Sequence, residues 1–141
     1  MADATIGVDL GGTKALFVRG ERASRVETGA TFCADDFLAR LAAFVAGDRE
    51  PPSRIGIAVP GLVGGDGSVV ACDVLPALAG WSPRETLASL GCERVVVNDV
   101  RAALLEEMHD APAGTTAAVV MVGTAVGAAF IANGEPLLGT S

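Results

Sequence analysis

The residues best suited to chemistry lie in a turn between two apolar runs near the start of the chain. Asp9 lies at the end of the first run and is followed by the turn residues Gly11, Gly12, Thr13 and Lys14. Adjacent glycines predict a tight turn with positive φ, whose backbone N–H groups an oxyanion can reach because no side chain blocks them. The Thr13 hydroxyl is a further donor, and Asp9 is placed to hold Mg²⁺ or a water on it. The pattern predicts a phosphate-binding β-hairpin, and an ordinary hairpin with a glycine turn is the alternative.

Two other phosphate-binding motifs are excluded by their spacing. The P-loop pattern G-x-x-x-x-G-K-[ST] and the dinucleotide pattern G-x-G-x-x-G both lead into a helix, and neither occurs in the sequence. Residues 14–19 are too β-branched, and too short before Gly20, to be that helix. Lys14 is the single lysine beside nine arginines. Its place next to the turn fits a phosphate contact. The alternative is that a codon preference for arginine explains the scarcity of lysine, in which case the place of Lys14 indicates no function.

The composition limits the classes of partner. A chain of 141 residues, half of them hydrophobic, can bury one core, so we expect one domain or one domain with a fragment of another. The net charge of −7 argues against nucleic acid, whose binding depends on clustered lysine and arginine. Cys33, Cys72 and Cys92 are odd in number and widely spaced, which predicts reduced thiols. Residues 1–5 lack the features of a signal peptide, so we expect a cytoplasmic protein.

Periodicity and capping residues predict the elements that position the turn. Residues 35–45 carry apolar side chains at helical spacing after two acidic residues, which predicts a helix packed on a sheet. Ser82, Pro83 and Glu85 form a capping box, so a helix should run from there to about Leu90. The predicted order is β-β-β-α-β-α-β-α, an α/β layered domain. It has a hairpin over 6–18, strands at 25–31, 54–60 and 95–97, the last two buried on both faces, helices at 35–45, 83–90 and 100–108, and a flexible loop at 61–67.

The last part of the chain allows two interpretations. Between Asp110 and Glu135 there is no charged side chain, and an apolar run of this length is sufficient for a membrane span. Valine, threonine and glycine are frequent in the run, and the Asn-Gly pair at 133–134 is a strong hairpin signal. We therefore predict two strands around a turn at Gly123 and Thr124, and a membrane span is the alternative.

Three groups of polar residues follow predicted strands. They are Asp9 with the glycine turn, Asn98 with Asp99, and Gly123 with Thr124. The carboxyl ends of strands in an open α/β sheet gather at one crevice, so we expect the groups to converge. Two polar turns that hold phosphates, a carboxylate that accepts a hydroxyl proton and an amide that fixes the acceptor suit phosphoryl transfer to an alcohol. The alternative for Asn98 and Asp99 is a helix N-cap, since both residue types cap well.

Five segments that occur in order along the chain carry a resemblance to a known family. They are Asp9-Leu10-Gly11-Gly12-Thr13-Lys14, Val59-Pro60-Gly61, Leu78-Ala79-Gly80-Trp81, Asn98-Asp99 with Glu107, and Val122-Gly123-Thr124-Ala125-Val126-Gly127. In order and spacing they resemble the motifs of the ROK family of sugar kinases and repressors, which includes bacterial glucokinases. The match spans essentially the whole chain, and five ordered motifs are far more specific than any one of them.

The resemblance implies an actin-like, ribonuclease-H-like α/β fold in which a mixed sheet is flanked by helices. It implies that MgATP binds between two lobes, with Asp9 as the metal residue. It also implies that Asp99 is the general base toward a sugar hydroxyl and that Asn98, Gly61 and Gly127 contact the sugar. The implied phosphate-binding residues are Gly11, Gly12, Thr13, Lys14, Gly123 and Thr124. The expected substrate is a hexose or amino-hexose, and the expected protein is a homo-oligomer with no nucleic-acid or membrane partner.

The family pattern divides the chain into an N-terminal lobe at residues 1–112 and the first hairpin of a second lobe at 113–141. The Glu-x-Gly-His segment and the cysteine-rich zinc motif of the family do not occur in this sequence, so zinc is expected only in a missing part. We therefore expect the N-terminal part of a sugar kinase, inactive as the 141-residue chain alone. A non-catalytic sugar- or phosphate-binding module and the sugar-sensing part of a ROK-type repressor are the alternatives.

Four further residues have specific expectations. Ala125 and Ala128 replace glycines that are usual in the family's second phosphate turn, and the added methyl groups could crowd a phosphate or a sugar. Trp81 is expected to be a packing residue rather than a sugar platform. His109 is expected to be a solvated residue near a helix C-terminus.

Overall fold

The computed structural model describes residues 4–137, and within them the chain forms a five-stranded mixed sheet, a three-stranded sheet, a short hairpin and three helices. The helices are α1 (Ala34–Val45), α2 (Pro83–Thr86) and α3 (Asp99–Glu107), with 3₁₀ turns at Pro76–Leu78 and Ala88–Leu90. The strands are β1 (Thr5–Leu10), β2 (Lys14–Arg19), β3 (Arg22–Glu27), β4 (Arg54–Val59), β5 (Leu62–Val63), β6 (Val69–Ala71), β7 (Glu93–Asn98), β8 (Ala117–Val122), β9 (Val126–Ala132) and β10 (Glu135–Pro136).

The five-stranded sheet has the order β3-β2-β1-β4-β7. The predicted first hairpin is present, and β1, β2 and β3 form an antiparallel meander. Strand β4 runs parallel to β1, with Ala58 beside Asp9, and β7 runs parallel to β4, with Val97 beside Ala58. Because these three strands are parallel, their carboxyl ends meet at one edge of the sheet, and the polar groups that follow them are brought together there.

One face of the sheet forms the core. Successive side chains of a strand point to opposite faces, so alternate residues of β1, β2 and β4 are enclosed on the side of α1. Phe37 of α1 is fully buried, with its ring 5.9 Å from that of Phe17 and 4.8 Å from that of Trp81. The Trp81 indole N–H donates to the Thr86 hydroxyl (3.0 Å), so Trp81 is a packing residue, as expected. The most enclosed strand residues are Ile6, Leu10, Ala15, Phe17, Ile55, Ile57 and Val59.

The opposite face of the sheet is open within the described part of the chain. Gly7, Gly56 and Val95 lie side by side across it, and Val95 is 42% exposed. A methyl group added at Gly7 or Gly56 would meet nothing within 4 Å. The prediction that the strands at 54–60 and 95–97 are buried on both faces is therefore wrong for residues 4–137, since no described element packs on this side.

Three elements differ from the sequence prediction. Strand β3 lies at Arg22–Glu27 rather than at 25–31, because Gly20, with a φ of 57°, turns the chain tightly enough for pairing to begin at once. Residues 61–67 are not entirely loop, since β5 pairs with β6 in a short antiparallel hairpin. The helix predicted for 83–90 is the single turn α2 followed by a 3₁₀ turn.

The last strands form the separate sheet β10-β9-β8. Strands β8 and β9 flank the turn at residues 123–125, and Asn133 and Gly134 both have positive φ in the turn before β10, as the sequence predicts. No helix among the described residues is long and apolar enough to cross a membrane. The division of the chain after residue 112 stays a prediction, and residues 138–141 of its second unit lie outside the described part.

Candidate functional site

A cavity of about 330 Å³ lies where the carboxyl ends of β1, β4 and β7 face the β8–β9 hairpin. This volume is within the range of small-molecule sites. The cavity collects predicted residues from four separate segments of the chain. Those that line it are Gly11, Gly12, Gly61, Asn98, Asp99, Gly123, Thr124 and Gly127. We call it the glycine-turn cavity.

Close contacts explain why the first turn contains glycines. Neither Gly11 nor Gly12 has a positive φ, so the predicted backbone conformation of the turn is wrong. A methyl group at Gly11 would lie 2.8 Å from the carbonyl oxygen of Lys14, and one at Gly12 would lie 3.1 Å from Cβ of Val74. The amides of Gly12 and Thr13 donate no hydrogen bond to any residue in 4–137, which leaves two N–H groups for an oxyanion.

Asn98 links the end of β7 to the loop after β4 through a side-chain hydrogen bond. Its Nδ2 donates to the carbonyl oxygen of Gly61 (2.9 Å), and its Oδ1 accepts from the amides of Val100 (3.0 Å) and Arg101 (3.2 Å). Asn98 is therefore the N-cap of α3, the alternative that the sequence left open. Because a carboxamide has two N–H donors, one remains for a ligand.

The carboxyl groups of Asp9 and Asp99 share one electrostatic environment. Partial burial raises the pKa of Asp99, against a backbone hydrogen bond from Val100 (2.8 Å) that lowers it. Burial and, second, the negative charge of Asp99 raise the pKa of Asp9. Oδ1 of Asp99 is engaged with the Val100 amide, so Oδ2 is the oxygen available to take a proton. A carboxylate with a raised pKa is a stronger proton acceptor, and two mutually repelling carboxylates favour a cation between them.

The structure separates residues that the sequence groups in one motif. Asp9 and Lys14 line a neighbouring cleft of about 180 Å³ together with Arg25, whereas Thr13 lines neither this cleft nor the glycine-turn cavity. Because side chains alternate along a strand, Asp9 and Lys14 point to the open face of the sheet while the turn between them faces the cavity.

The other candidate side chains lie away from the glycine-turn cavity. His109 is 77% exposed and lies 3.0 Å from Asp110, in agreement with the expected solvated residue. Cys33, Cys72 and Cys92 are free thiols, also as expected. Among residues 4–137, no cluster of three or more histidine, cysteine, aspartate or glutamate side chains could hold a metal ion.

The β8–β9 hairpin closes the cavity by packing on α3. Val100 and Leu104 of α3 and Ile131 of β9 are buried. Gly127 lies so close to Val100 that an added methyl group would be 2.5 Å from its Cγ2. The position of the second glycine turn, at residues 123–124, therefore depends on the absence of a side chain at residue 127.

Replacing Gly127 by alanine should destabilise the protein by about 1–3 kcal/mol, because the methyl group overpacks the contact with Val100. Urea unfolding measures the loss, and amide exchange of β9 locates it. The matched control is Gly123→Ala, whose methyl group meets nothing within 4 Å. The double variant Gly127→Ala with Val100→Ala should regain part of the loss. Equal effects of the two glycine variants would contradict the proposed packing.

Two cavity residues escaped the sequence analysis. Val74 lines the cavity and contacts Gly12, and Met121 lines it at the end of β8. No local pattern marks Val74, because its contact joins distant parts of the chain. Met121 could have been found from its place two residues before the second glycine turn.

The sequence and the fold both match known proteins. A model of the ROK family matches residues 5–141. Kanosamine kinase of Amycolatopsis mediterranei (strain S699) is 34% identical over 145 residues, which cover 95% of this chain and 48% of that protein. The chain thus spans about half the length of the curated relative it matches.

Two solved structures show the same fold. A ROK family protein from Streptococcus pneumoniae TIGR4, in complex with sucrose, has a TM-score of 0.82 at 27% identity, over 99% of this chain and 48% of that one. A ROK family glucokinase from Streptomyces griseus, in complex with glucose and AMPPNP, has a TM-score of 0.80 at 23% identity, over 96% of this chain and 46% of that one. These neighbours have the actin-like ATPase fold, which confirms the predicted fold class.

Proposed function

Because the chain belongs to the ROK family, we propose that it is the N-terminal part of an ATP-dependent kinase that phosphorylates a hydroxyl group of a hexose or amino-hexose. The observation that carries the proposal is the glycine-turn cavity, where two glycine turns face Asn98 and Asp99. The names of the relatives support the class of reaction, since one is a kanosamine kinase and another a glucokinase bound to glucose and AMPPNP.

In this proposal the phosphates of ATP lie between the two glycine turns. The amides of Gly12, Thr13 and Thr124 donate no hydrogen bond within residues 4–137, and backbone N–H groups of this kind bind oxyanions. Gly11 and Gly123 complete the two turns. Lys14 would reach the phosphates from the neighbouring cleft, as a flexible point charge.

The acceptor hydroxyl group lies beside α3. Asp99 accepts its proton through Oδ2, and the raised pKa of this carboxyl supports that role. Asn98 orients the sugar through its remaining N–H. Gly61 and Gly127, which have no side chains, let the sugar approach the backbone closely.

Magnesium fits the residues at the edge of this site. Mg²⁺ is ordinarily held by one or two carboxylates together with substrate phosphates, and Asp9 and Asp99 provide two such groups. Asp9 would hold the ion, directly or through water. Burial and, second, the charge of Asp99 raise the pKa of Asp9, and a cation would offset both effects. When bound, the ion would neutralise part of the negative charge of the phosphates.

We assign residues 1–112 to the first lobe and 113–141 to the start of a second lobe. Two observations support this division. The sheet β10-β9-β8 shares no ladder with the five-stranded sheet, and its outer residues Val120, Val122 and Phe130 are 61%, 80% and 49% exposed. We further propose a cytoplasmic homo-oligomer, with any zinc held by residues that this sequence does not contain.

A coupled assay of ADP release tests the function. The polypeptide that carries both halves of the ROK fold should release ADP only when a hexose or amino-hexose is present, at a rate of about 1–100 s⁻¹. The 141-residue chain should release none, because among residues 4–137 only the β8–β9 hairpin lies opposite the strand ends, which is too little to exclude water from the transferring phosphoryl group. Omission of Mg²⁺ is the control. Failure of every hexose and amino-hexose to increase ADP release would contradict the proposal.

A further inference from the structure

A second cavity, of about 440 Å³, lies between the β5–β6 hairpin, β7 and the start of α3. We call it the arginine cavity, because Arg84, Arg94 and Arg101 line it together with a single carboxylate, Asp66. None of the three arginines lines the glycine-turn cavity, and Asn98 is the residue that the two cavities share. The volume is sufficient for a small ligand.

Two guanidinium groups of the arginine cavity each keep a buried Nε without an acceptor. Within residues 4–137, the only buried side-chain polar atoms without a hydrogen-bond partner are Nε of Arg94 and Nε of Arg101. Arg94 donates another N–H to the carbonyl oxygen of Leu87 (3.0 Å), whereas the Arg101 side chain donates to no described residue. A buried donor without an acceptor destabilises the protein, and more so when the donor is charged. Two such atoms at one cavity point to an absent acceptor.

Among residues 4–137, none of the three arginines of this cluster forms an ion pair. Every ion pair in the described part of the chain lies elsewhere in the molecule. Asp66 accepts hydrogen bonds from the amide (2.9 Å) and hydroxyl (2.7 Å) of Ser68, and Arg84 acts on it only as a weaker, longer-range charge. Three guanidinium groups thus face one carboxylate in a protein whose net charge is −7.

We propose that the arginine cavity binds a small anion that carries a phosphate group. The planar guanidinium fork matches the spacing of phosphate oxygens and forms charge-assisted hydrogen bonds with them. Gly65, in the loop between β5 and β6, lines the cavity and has open space around it, so no side chain restricts the ligand there. The arginine cavity shares only Asn98 with the glycine-turn cavity, and the arginines that carry this proposal have no part in the nucleotide and sugar positions proposed above.

Calorimetric titration with inorganic phosphate at constant ionic strength tests the proposal. Arg101→Gln should weaken phosphate binding about tenfold or more, as expected for the loss of a charge-assisted contact. Arg101→Lys keeps the charge and should retain part of the affinity. The control is Arg49→Gln, which changes the net charge equally at an exposed position outside both cavities and should leave binding unchanged. Because the glycine turns can also attract phosphate, the difference between Arg101→Gln and Arg49→Gln identifies the site.

The same titration with glucose 6-phosphate separates two sources of the anion. Tighter binding of glucose 6-phosphate than of inorganic phosphate identifies a phosphate monoester, and equal binding identifies free phosphate. Arg84→Gln, an exposed position, provides a second variant if Arg101→Gln changes the urea midpoint. Parent-like phosphate binding by Arg101→Gln and Arg84→Gln would overturn the proposal. AMPPNP binding, measured separately, reports on the kinase function alone.

Discussion

Replacing Asp99 by asparagine should reduce the kcat of the complete kinase by about 10²- to 10⁴-fold, the usual loss when a general base is removed. Asparagine keeps an oxygen to accept the Val100 amide, so the start of α3 should be preserved. AMPPNP and sugar should still bind, because the change removes a proton acceptor and little volume. A kcat within threefold of the parent would contradict the role of Asp99.

The same variant should also change how the stability of the protein depends on pH. The pKa of Asp99 is raised in the folded protein above the ordinary value of 3.8, mainly by burial. The folded state therefore binds the proton more tightly than the unfolded state, and parent stability falls as the pH rises through the interval between the two pKa values. At neutral pH Asp99→Asn should unfold at a higher urea concentration than the parent. This gain should disappear below about pH 4, where the carboxyl is protonated in both states.

The complete kinase proposed above should show the matching pH dependence in its rate. Protonation of Asp99 removes the base, so kcat should fall on the acid side, at a pH above the ordinary aspartate pKa of 3.8. If Asp99 had only a structural role, its protonation would not cause this fall in kcat. Absence of this acid-side fall from the parent profile would contradict the assignment of Asp99 as the base.

Replacing Gly61 by alanine should have the largest effect on stability among the cavity glycines. The new methyl group would overlap the carbonyl oxygen of Ala71 and lie 3.0 Å from Cα of Cys72. Both obstacles are backbone atoms, which cannot move aside as a flexible side chain can. We expect a loss of about 3 kcal/mol in the free energy of unfolding, the upper end of the usual range for overpacking. Displacement of the Gly61 carbonyl from Asn98 should also lower kcat/KM about 10²-fold.

The matched control for this change is Gly65→Ala in the same loop. Its methyl group meets nothing within 4 Å, and its φ is not positive, so stability should be unchanged or slightly increased. Urea midpoints of both variants, with kinetics of the complete kinase, measure the difference. Similar midpoints for the two alanine variants would show that the contact between residue 61 and residues 71–72 is not a close one.

The features that the sequence predicted correctly depend on residues near one another in the chain. The first hairpin follows from two apolar runs around Gly11 and Gly12, and α1 follows from apolar spacing after acidic residues. The turn at Asn133 has the positive φ that an Asn-Gly pair favours. The family resemblance also came from local motifs, and the match over residues 5–141 confirms it.

The features that the sequence missed depend on contacts between distant segments. Position 12 requires glycine because Val74 lies against it, and position 127 requires glycine because Val100 lies against it. Neither neighbour can be identified before the chain is folded. The exposure of Val95 was also missed, because an apolar strand does not show from its own residues whether a second layer covers it.

By itself, the sequence determined which residues of this protein could do chemistry, because glycine turns, carboxylates and caps are set by residue type and short spacing. It also determined that these residues follow strands. Only the tertiary structure decided which of them share a cavity. Parallel pairing of β1, β4 and β7 brought the strand ends together, and the alternation of side chains placed Asp9 and Lys14 on a different face from the glycine turn. Strand pairing joins residues that are far apart in the chain, so no short pattern in the sequence records it.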